Sequence, residues 1–448
     1  MTKSHDIAIV LAAGHGTRMK SSLPKVLHKV AHRTMLAHVQ HAIFAAGITR
    51  QVVVIAPGQA AIEAEALAAP GAIAVAIQDR QKGTGHAVMA ARQAVNADAG
   101  GAVYVVVGDA PLCRPETLAL IGRQIDHADL VVLGFRPPNP TGYGRLIVDD
   151  AGPLEIAEEK DASPQQRKIG LCFSGMLAFA ETRHLALLDA ITPDNAQSEY
   201  YLPDVVAIAR ARGLRVALAE APAVDVMGVN SRADLAVAEA EMQNRLRARG
   251  LAAGVSMADP LSVYLAADTE LAGDVTLEPH IVFGPGVTVG KGASIRAFSH
   301  LEGASIGANA QIGPFARLRP GANIGQGAKA GNFVEIKNTN VGEGAKISHL
   351  SYIGDADVGA RANIGAGTIT CNYDGFSKFR TEIGEAAFIG SNSSLVAPVK
   401  IGIGAYIASG SVVTSDVGKQ ALALARARQI EKPGWAAKFA SRQARKKS

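Results

Sequence analysis

Cysteine and tryptophan are scarce in this chain. Its 448 residues hold three cysteines and one tryptophan, and aromatic side chains make up 5% of the total. Cys113, Cys172 and Cys371 stand too far apart for a zinc or dithiol motif, and an odd number argues against a disulfide framework. No apolar run reaches transmembrane length, so no membrane insertion is expected. The first apolar run, Ile7–Leu11, is short and leads into a glycine turn, which does not suit a signal peptide. The cytoplasm is the expected compartment. Net charge is small, +5, and mostly local: from Arg426 onward eight Lys or Arg face the single acid Glu431. Such a run serves as a solvated tail, as a site for an acidic ligand or as a nucleic-acid contact. Only Trp435 and Phe439 interleave with it, and nucleic acid is read as the weakest of the three.

Hydrophobic residues at 48% are enough for real cores, and the length allows two or three domains. The 47 glycines show no collagen period and must serve turns or a tightly coiled repeat. Residues 1–228 alternate β-rich runs with helical periodicity. Strands are expected at Ile7–Leu11, Val52–Ile55, Ile73–Ile77, Val103–Val107 and Leu130–Leu133. Between the first two, Met35, Leu36, Val39 and Ile43 recur at helical spacing before Gly47. This alternation predicts a largely parallel sheet with helices on both faces and a ligand site at the strands' carboxyl ends. Residues 229–250 read as a linker helix, with a capping box formed by Ser231 and Asp234 and a stop at Gly250. From 251 to 448 the texture changes. Ile306, Ile312, Leu318 and Ile324 recur every six residues, Ala330 and Ile336 continue the register, and Ile383, Ile389, Leu395, Ile401, Ile407 and Val413 repeat it. A period of six fits neither a helix nor an ordinary strand. It fits a solenoid of short parallel strands whose apolar residues stack inward. The register breaks between Ile369 and Glu382, where TCNYDGFSKFRT is expected to loop out.

The stretch LAAGHGTRMKSSLPK, Leu11 to Lys25, follows the first strand and carries the strongest chemical signal. Gly14 and Gly16 allow a tight turn whose amide groups can face phosphate oxygens, while Arg18 and Lys25 add positive charge. Met19 occupies the third glycine of a dinucleotide fingerprint, and the GK[ST] of a P-loop is missing. Asp109, in Gly-Asp-Ala-Pro at the end of the strand Val103–Val107, suits a metal ligand at a strand's carboxyl edge, or a turn residue. His349 is the best base candidate of the second half, because an unperturbed imidazole titrates near neutrality; a structural histidine is the other reading.

The Leu11–Lys25 residues resemble the signature of sugar-nucleotide pyrophosphorylases. Nearly the whole chain resembles the bacterial bifunctional N-acetylglucosamine-1-phosphate uridylyltransferases/glucosamine-1-phosphate acetyltransferases. The resemblance implies α/β plus all-β architecture: a Rossmann-like nucleotidyltransferase domain, a linker helix and a left-handed parallel β-helix that assembles as a homotrimer. It implies N-acetylation of glucosamine 1-phosphate by acetyl-CoA, then coupling of N-acetylglucosamine 1-phosphate with UTP to give UDP-N-acetylglucosamine and pyrophosphate. Magnesium is the implied metal, and the implied role is supply for peptidoglycan and, where present, lipopolysaccharide.

Residue by residue, Leu11, Ala12, Ala13 and Gly14 match the family's uridine and phosphate loop, with Arg18 beside it, and Lys25 its phosphate-binding lysine. Gln78, Gly83 and Thr84 match the uracil segment, and Gly144 and Glu158 match positions around the sugar. Asn230 matches a second metal ligand beside Asp109. Glu199-Tyr200-Tyr201-Leu202 is expected to give structural support. One position departs: Phe173 stands before Ser174-Gly175 where the family has Asn, and it supplies no amide hydrogen bond. An unmatched buried donor costs about 1–3 kcal/mol. In the second domain His349 matches the catalytic base, Arg319, Lys337, Tyr352 and Asn363 the sugar-phosphate contacts, and Glu335 is a partner for the substrate or for His349. Ala366, Asn372, Tyr373, Ser391, Ser409 and Arg426 match the acetyl-CoA site, with Ser409 where Ala is common. In a trimer these groups could come from neighbouring subunits. Two other readings fit the domains: a single-activity pyrophosphorylase whose β-helix only oligomerises it, and a non-enzymatic regulatory or exchange subunit. Intact Gly14, Arg18, Lys25 and Asp109 argue against the second.

Overall fold

The computed structural model describes residues 5–14, 16–96 and 100–447. It divides into two compact units, Met1–Leu246 and Arg247–Ser448.

The first unit is built on β1 (Ile7–Leu11), β2 (Gln51–Ile55), β3 (Ala72–Ile77), β4 (Val103–Val107), β5 (Leu130–Phe135), β6 (Arg145–Asp149), β7 (Gly152–Ala157), β8 (Cys172–Phe179) and β9 (Val216–Ala221). The sheet order is β9-β5-β8-β4-β1-β2-β3, with β6 pairing β8 and β7. Along the main path only β8 runs antiparallel. Successive side chains on a strand point to opposite faces, and that splits the core in two. Ala8 and Val10 join the side covered by α1 (Met35–Ala45), α2 (Ala60–Ala68) and α4 (Pro115–Gln124). Ile7 and Ile9 join the side covered by α3 (Thr84–Asn96) and α5 (Val205–Ala211). The five expected strands form, each within two residues of its expected ends. The other four were not foreseen. β8 is a nearly continuous apolar run that lacks alternation, and its insertion between β4 and β5 is a long-range pairing with no local signature.

The segment expected as a linker is α6 (Arg232–Ala252). Its capping box forms: Ser231 Oγ accepts from the Asp234 amide at 3.2 Å, and Asp234 Oδ2 accepts from the amides of Ser231 and Asn230 at 2.9 and 3.0 Å. The units divide inside this helix, after Leu246. Its Ala-rich, polar composition conceals a stripe of Leu235, Ala238 and Met242 that packs on Val30, Met35, Leu112 and Val229. Arg245 reinforces this, reaching buried Asp225 at 2.8 Å and the Leu112 carbonyl at 2.7 Å.

The second unit is a three-faced coil of short parallel strands. One face stacks ten of them, from Ser256–Met257 to Leu422–Ala423. On it Leu277, Ile295, Ile312, Ala330, Ile347, Ile364, Ile389 and Ile407 are register partners in turn, and all are buried. The period of six therefore corresponds to one inward residue per face. Corners close tightly: a Cβ on Gly342 would lie 2.5 Å from the Ala360 nitrogen. The insertion is present, and Ile364 pairs with Ile389 whereas the preceding step runs only from Ile347 to Ile364. It begins at Asn372 rather than Thr370, because Ile369–Cys371 still pairs as a strand, and Tyr373 bridges Lys378 across the loop.

Candidate active sites

In the first unit Leu11 and Val107 are paired at the carboxyl ends of β1 and β4, beneath a cleft of ≈ 330 Å³. Leu11, Ala12, Ala13, Gly14, Lys25, Gln78, Gly83, Thr84 and Asp109 all line it. Gln78 Nε2 donates to the Gly83 carbonyl at 3.0 Å, and Thr84 Oγ1 accepts from the Leu202 amide at 3.0 Å. Gly83 has φ +101°, and a Cβ there would meet the Tyr200 carbonyl oxygen at 2.6 Å. The 199–202 block thus supports this wall as expected, but Glu199 itself also lines the cleft. Gln81, which the sequence reading missed, donates to the Ala13 carbonyl. Nothing in QDRQKGTGHA distinguishes it from Gln78.

At the cleft mouth four residues from distant segments converge. The Lys25 ammonium pairs with Asp109 Oδ2 and lies 3.2 Å from Asn230 Oδ1, which also accepts from Arg18 Nη2 at 2.9 Å. The Val229 amide donates to the Asp109 carbonyl at 2.9 Å, fastening the two loops together. Two hard oxygen donors therefore face one point, where Lys25 pairs with the Asp109 carboxylate and Lys25 and Arg18 donate to the neutral Asn230 oxygen. That donor set fits magnesium, which keeps several waters and takes few protein ligands. Among the described residues no group of three or more His, Cys, Asp or Glu could hold a metal ion. Gly144 and Glu158 adjoin each other: a Cβ on Gly144 would lie 3.3 Å from Glu158 Oε1. Burial, helped by the charges of Asp161 and Asp204, raises the Glu158 pKa. Phe173 packs into the core, while its amide donates to the Gly144 carbonyl at 2.8 Å.

In the second unit His349 is exposed at a corner of the coil. Its Nδ1 bonds Asn332 Oδ1, the register partner one coil earlier. An amide oxygen only accepts, so Nδ1 is the donor in this contact and Nε2 is the ring nitrogen left to exchange a proton. Asn332 was missed, although the repeat register alone places it beside His349. Continuing up this corner come Ala366, Ser391 and Ser409, each two residues beyond the paired Ile364, Ile389 and Ile407. The Arg426 side chain lies over the next rung, 3.7 Å from the Cβ position of Gly410.

A second group occupies the adjoining face. Arg319 Nη1 donates to Glu335 Oε1 at 2.8 Å, so Glu335 serves Arg319 and not His349. Glu335 and Tyr352 are register partners, as are Lys337 and Gly354. Asn372 joins this group rather than the corner column, donating to Asp355 and reaching the Tyr352 hydroxyl at 3.4 Å. Burial pushes the Asp355 pKa up, but hydrogen bonds from Asn338 and Asn372 outweigh it and the net shift is downward. Lys378 of the inserted loop lies beside Lys337, whose ammonium lowers the Lys378 pKa. Tyr373 is exposed, its hydroxyl donating to the Gly375 carbonyl at 2.5 Å. Asn363 sits on a different face, between Lys346 and Phe388.

Residues 8–168 match the MobA-like NTP transferase domain, and residues 380–415 match the bacterial transferase hexapeptide family (six repeats). Over all of its length the chain is 54% identical to the Bifunctional protein GlmU of Parvibaculum lavamentivorans, covering 99% of it. It is 56% identical to that of Maricaulis maris, over 98% of this chain and 97% of the relative. The chain belongs to the GlmU family.

Membership joins the two halves. A nucleotidyltransferase unit precedes a left-handed β-helix of hexapeptide repeats in one bifunctional transferase, an enzyme of UDP-N-acetylglucosamine synthesis. A purely regulatory subunit is thereby excluded. Among the described residues no helix of this GlmU-family chain is long and apolar enough to cross a membrane.

Proposed function

We propose that the second unit acetylates glucosamine 1-phosphate and that the first then uridylylates the product. In the acetyl-transfer step His349 Nε2 takes a proton from the attacking amine, which bonds to the thioester carbon as the CoA thiolate leaves. Asn332 holds the ring in the required tautomer. Arg319 and Lys337, with Lys378 adding a third cation, suit the sugar phosphate; Ala366, Ser391, Ser409 and Arg426 suit the length of acetyl-CoA, with Tyr373 on the loop above. Asn363 shares the ten-stranded face with His349 but lies on a different face from Arg319 and Lys337 in the single chain, which supports completion of this site by a neighbouring subunit in a homotrimer.

In the uridylyl-transfer step an oxygen of N-acetylglucosamine 1-phosphate bonds to the α-phosphorus of UTP as the bond to pyrophosphate breaks. Gly14 amide, Arg18 and Lys25 gather around the triphosphate, Gln78, Gly83 and Thr84 bound the uracil, and Gly144 and Glu158 bound the sugar. Magnesium, held by Asp109 and Asn230, would offset charge on the phosphates. No amide reaches the sugar from Phe173. We place both reactions in the cytoplasm, where they supply cell-wall precursors.

The observation that carries this reading is the convergence of Lys25, Arg18, Asp109 and Asn230 at the cleft mouth, in a chain that also exposes the His349–Asn332 pair. The test is a coupled assay with glucosamine 1-phosphate, acetyl-CoA, UTP and magnesium. His349→Ala should cut acetylation by about 10²–10⁴-fold and leave uridylylation of supplied N-acetylglucosamine 1-phosphate intact. Asp109→Ala should do the reverse. Absence of acetylation in the wild type would favour a single-activity pyrophosphorylase.

A further inference from the structure

Arg145 is among the largest fully buried side chains, 1% exposed, and no step described above uses it. It is the first residue of β6, directly after Gly144, and its register partner on β7 is Ala157, directly before Glu158. The guanidinium reaches across this end of the hairpin. Nη2 lies 2.8 Å from Glu159 Oε2, Nη1 donates to the Tyr143 carbonyl, and Nη2 also reaches the Arg167 carbonyl at 3.4 Å. The strand ladder ends at the Arg145–Ala157 pair. Beyond it, the Gly144 carbonyl is taken by the Phe173 amide on β8. Gly144 and Glu158 are thus each the chain neighbour of one member of the Arg145–Glu159 ion pair.

Burying a guanidinium is a poor device for stability alone, since a hydrophobic residue of similar volume often serves as well. What a guanidinium adds is geometry: a planar fork whose Nη1 and Nη2 hold the Tyr143 and Arg167 carbonyls while its charge attracts Glu159, whose Oε2 makes no hydrogen bond. We propose that Arg145 and Glu159 are positioning residues that set the gap between Gly144 and Glu158, and so the fit of the hexose phosphate in the uridylyl-transfer site. This rests on the reading that Gly144 and Glu158 bound the sugar.

Steady-state kinetics of the full-length enzyme test it. Glu159, partly exposed at 28%, is the gentler position to alter. Glu159→Gln should raise KM for N-acetylglucosamine 1-phosphate about tenfold, with kcat within about threefold and KM for UTP unchanged. Arg145→Met should raise it further, and Arg145→Lys, which keeps the charge without the fork, should recover part of the loss. Acetyl transfer is the internal control and should not move. Equal rises in both KM values, or a lower melting temperature with both unchanged, would show a merely structural brace and overturn the proposal. Glu158→Gln separates the two ideas. If it raises the sugar KM while Glu159→Gln and Arg145→Met do not, the clamp is wrong and the sugar site stands. If none of the three moves it, the sugar site is misplaced and the clamp falls with it.

Discussion

Single residues in this chain act through partners that lie far away in sequence. Asn332 matters because it bonds His349 Nδ1 and leaves Nε2 to exchange a proton, and Asp109 matters because Val229, Asn230 and Lys25 gather around its loop. Asp204 shows the same dependence in its proton affinity. Burial, with the charge of Asp161 adding, raises its pKa to about 6, against roughly 3.9 for an unperturbed aspartate. The folded protein then holds this proton more tightly than the unfolded chain, so the group's contribution to stability is complete below about pH 4 and is lost as pH rises through about 6. Asp204→Asn should therefore flatten the decline of the first unit's melting temperature across that window. An unchanged slope would place the ionisation elsewhere. Motif residues such as Gly14 and Lys25 were legible because backbone freedom and charge are local properties. Gln81 and Arg145 were not, since an ordinary glutamine or arginine gains meaning only from what it touches.

Elements differ in how far their own sequence specifies them. The coil of the second unit is the most legible, because each turn repeats the same constraint and six residues define it. Ile389, Leu395, Ile401 and Ile407 stack inward as the period requires. The corners are as strict as the core. Gly342→Ala would push a methyl group against the Ala360 backbone, and overpacking of this kind costs about 1–3 kcal/mol. Differential scanning calorimetry should show a lower transition for the β-helix, with the nucleotidyltransferase transition and uridylylation little changed. A single transition lowered as a whole would mean that the units melt together. In the first unit the parallel strands β1–β4 announce themselves by short apolar runs between helical segments. β8 does not, because an antiparallel insertion is decided by the strands on either side. The helix α6 is legible as a helix from its cap, but its packed face is not, because Leu235, Ala238 and Met242 are too sparse to reveal it.

At the scale of the whole molecule, the proposed acetyl site divides between faces of one coil. Arg319, Glu335, Lys337 and Tyr352 share one face, while Asn363 lies on another. Arg319→Ala and Asn363→Ala should each abolish most acetylation when expressed alone. Coexpressed, they should regain a measurable fraction in mixed trimers, where one interface keeps both intact residues. No recovery, with mixed assembly verified by mass, would place the whole site within one chain. Some of this organisation was settled by sequence alone: the two-part architecture, the coil's period, the glycine loop and the polar residues that resemble a bifunctional transferase. These follow from repeat spacing and local backbone chemistry, which act between near neighbours. Tertiary structure decided the rest: that Asp109 and Asn230 meet over one cation-lined point, that Asn332 bonds His349, that Glu335 answers Arg319, and that a buried guanidinium pairs with Glu159, the neighbour of Glu158. Each is a contact between segments distant along the chain, and only the folded backbone brings such groups within reach of a hydrogen bond.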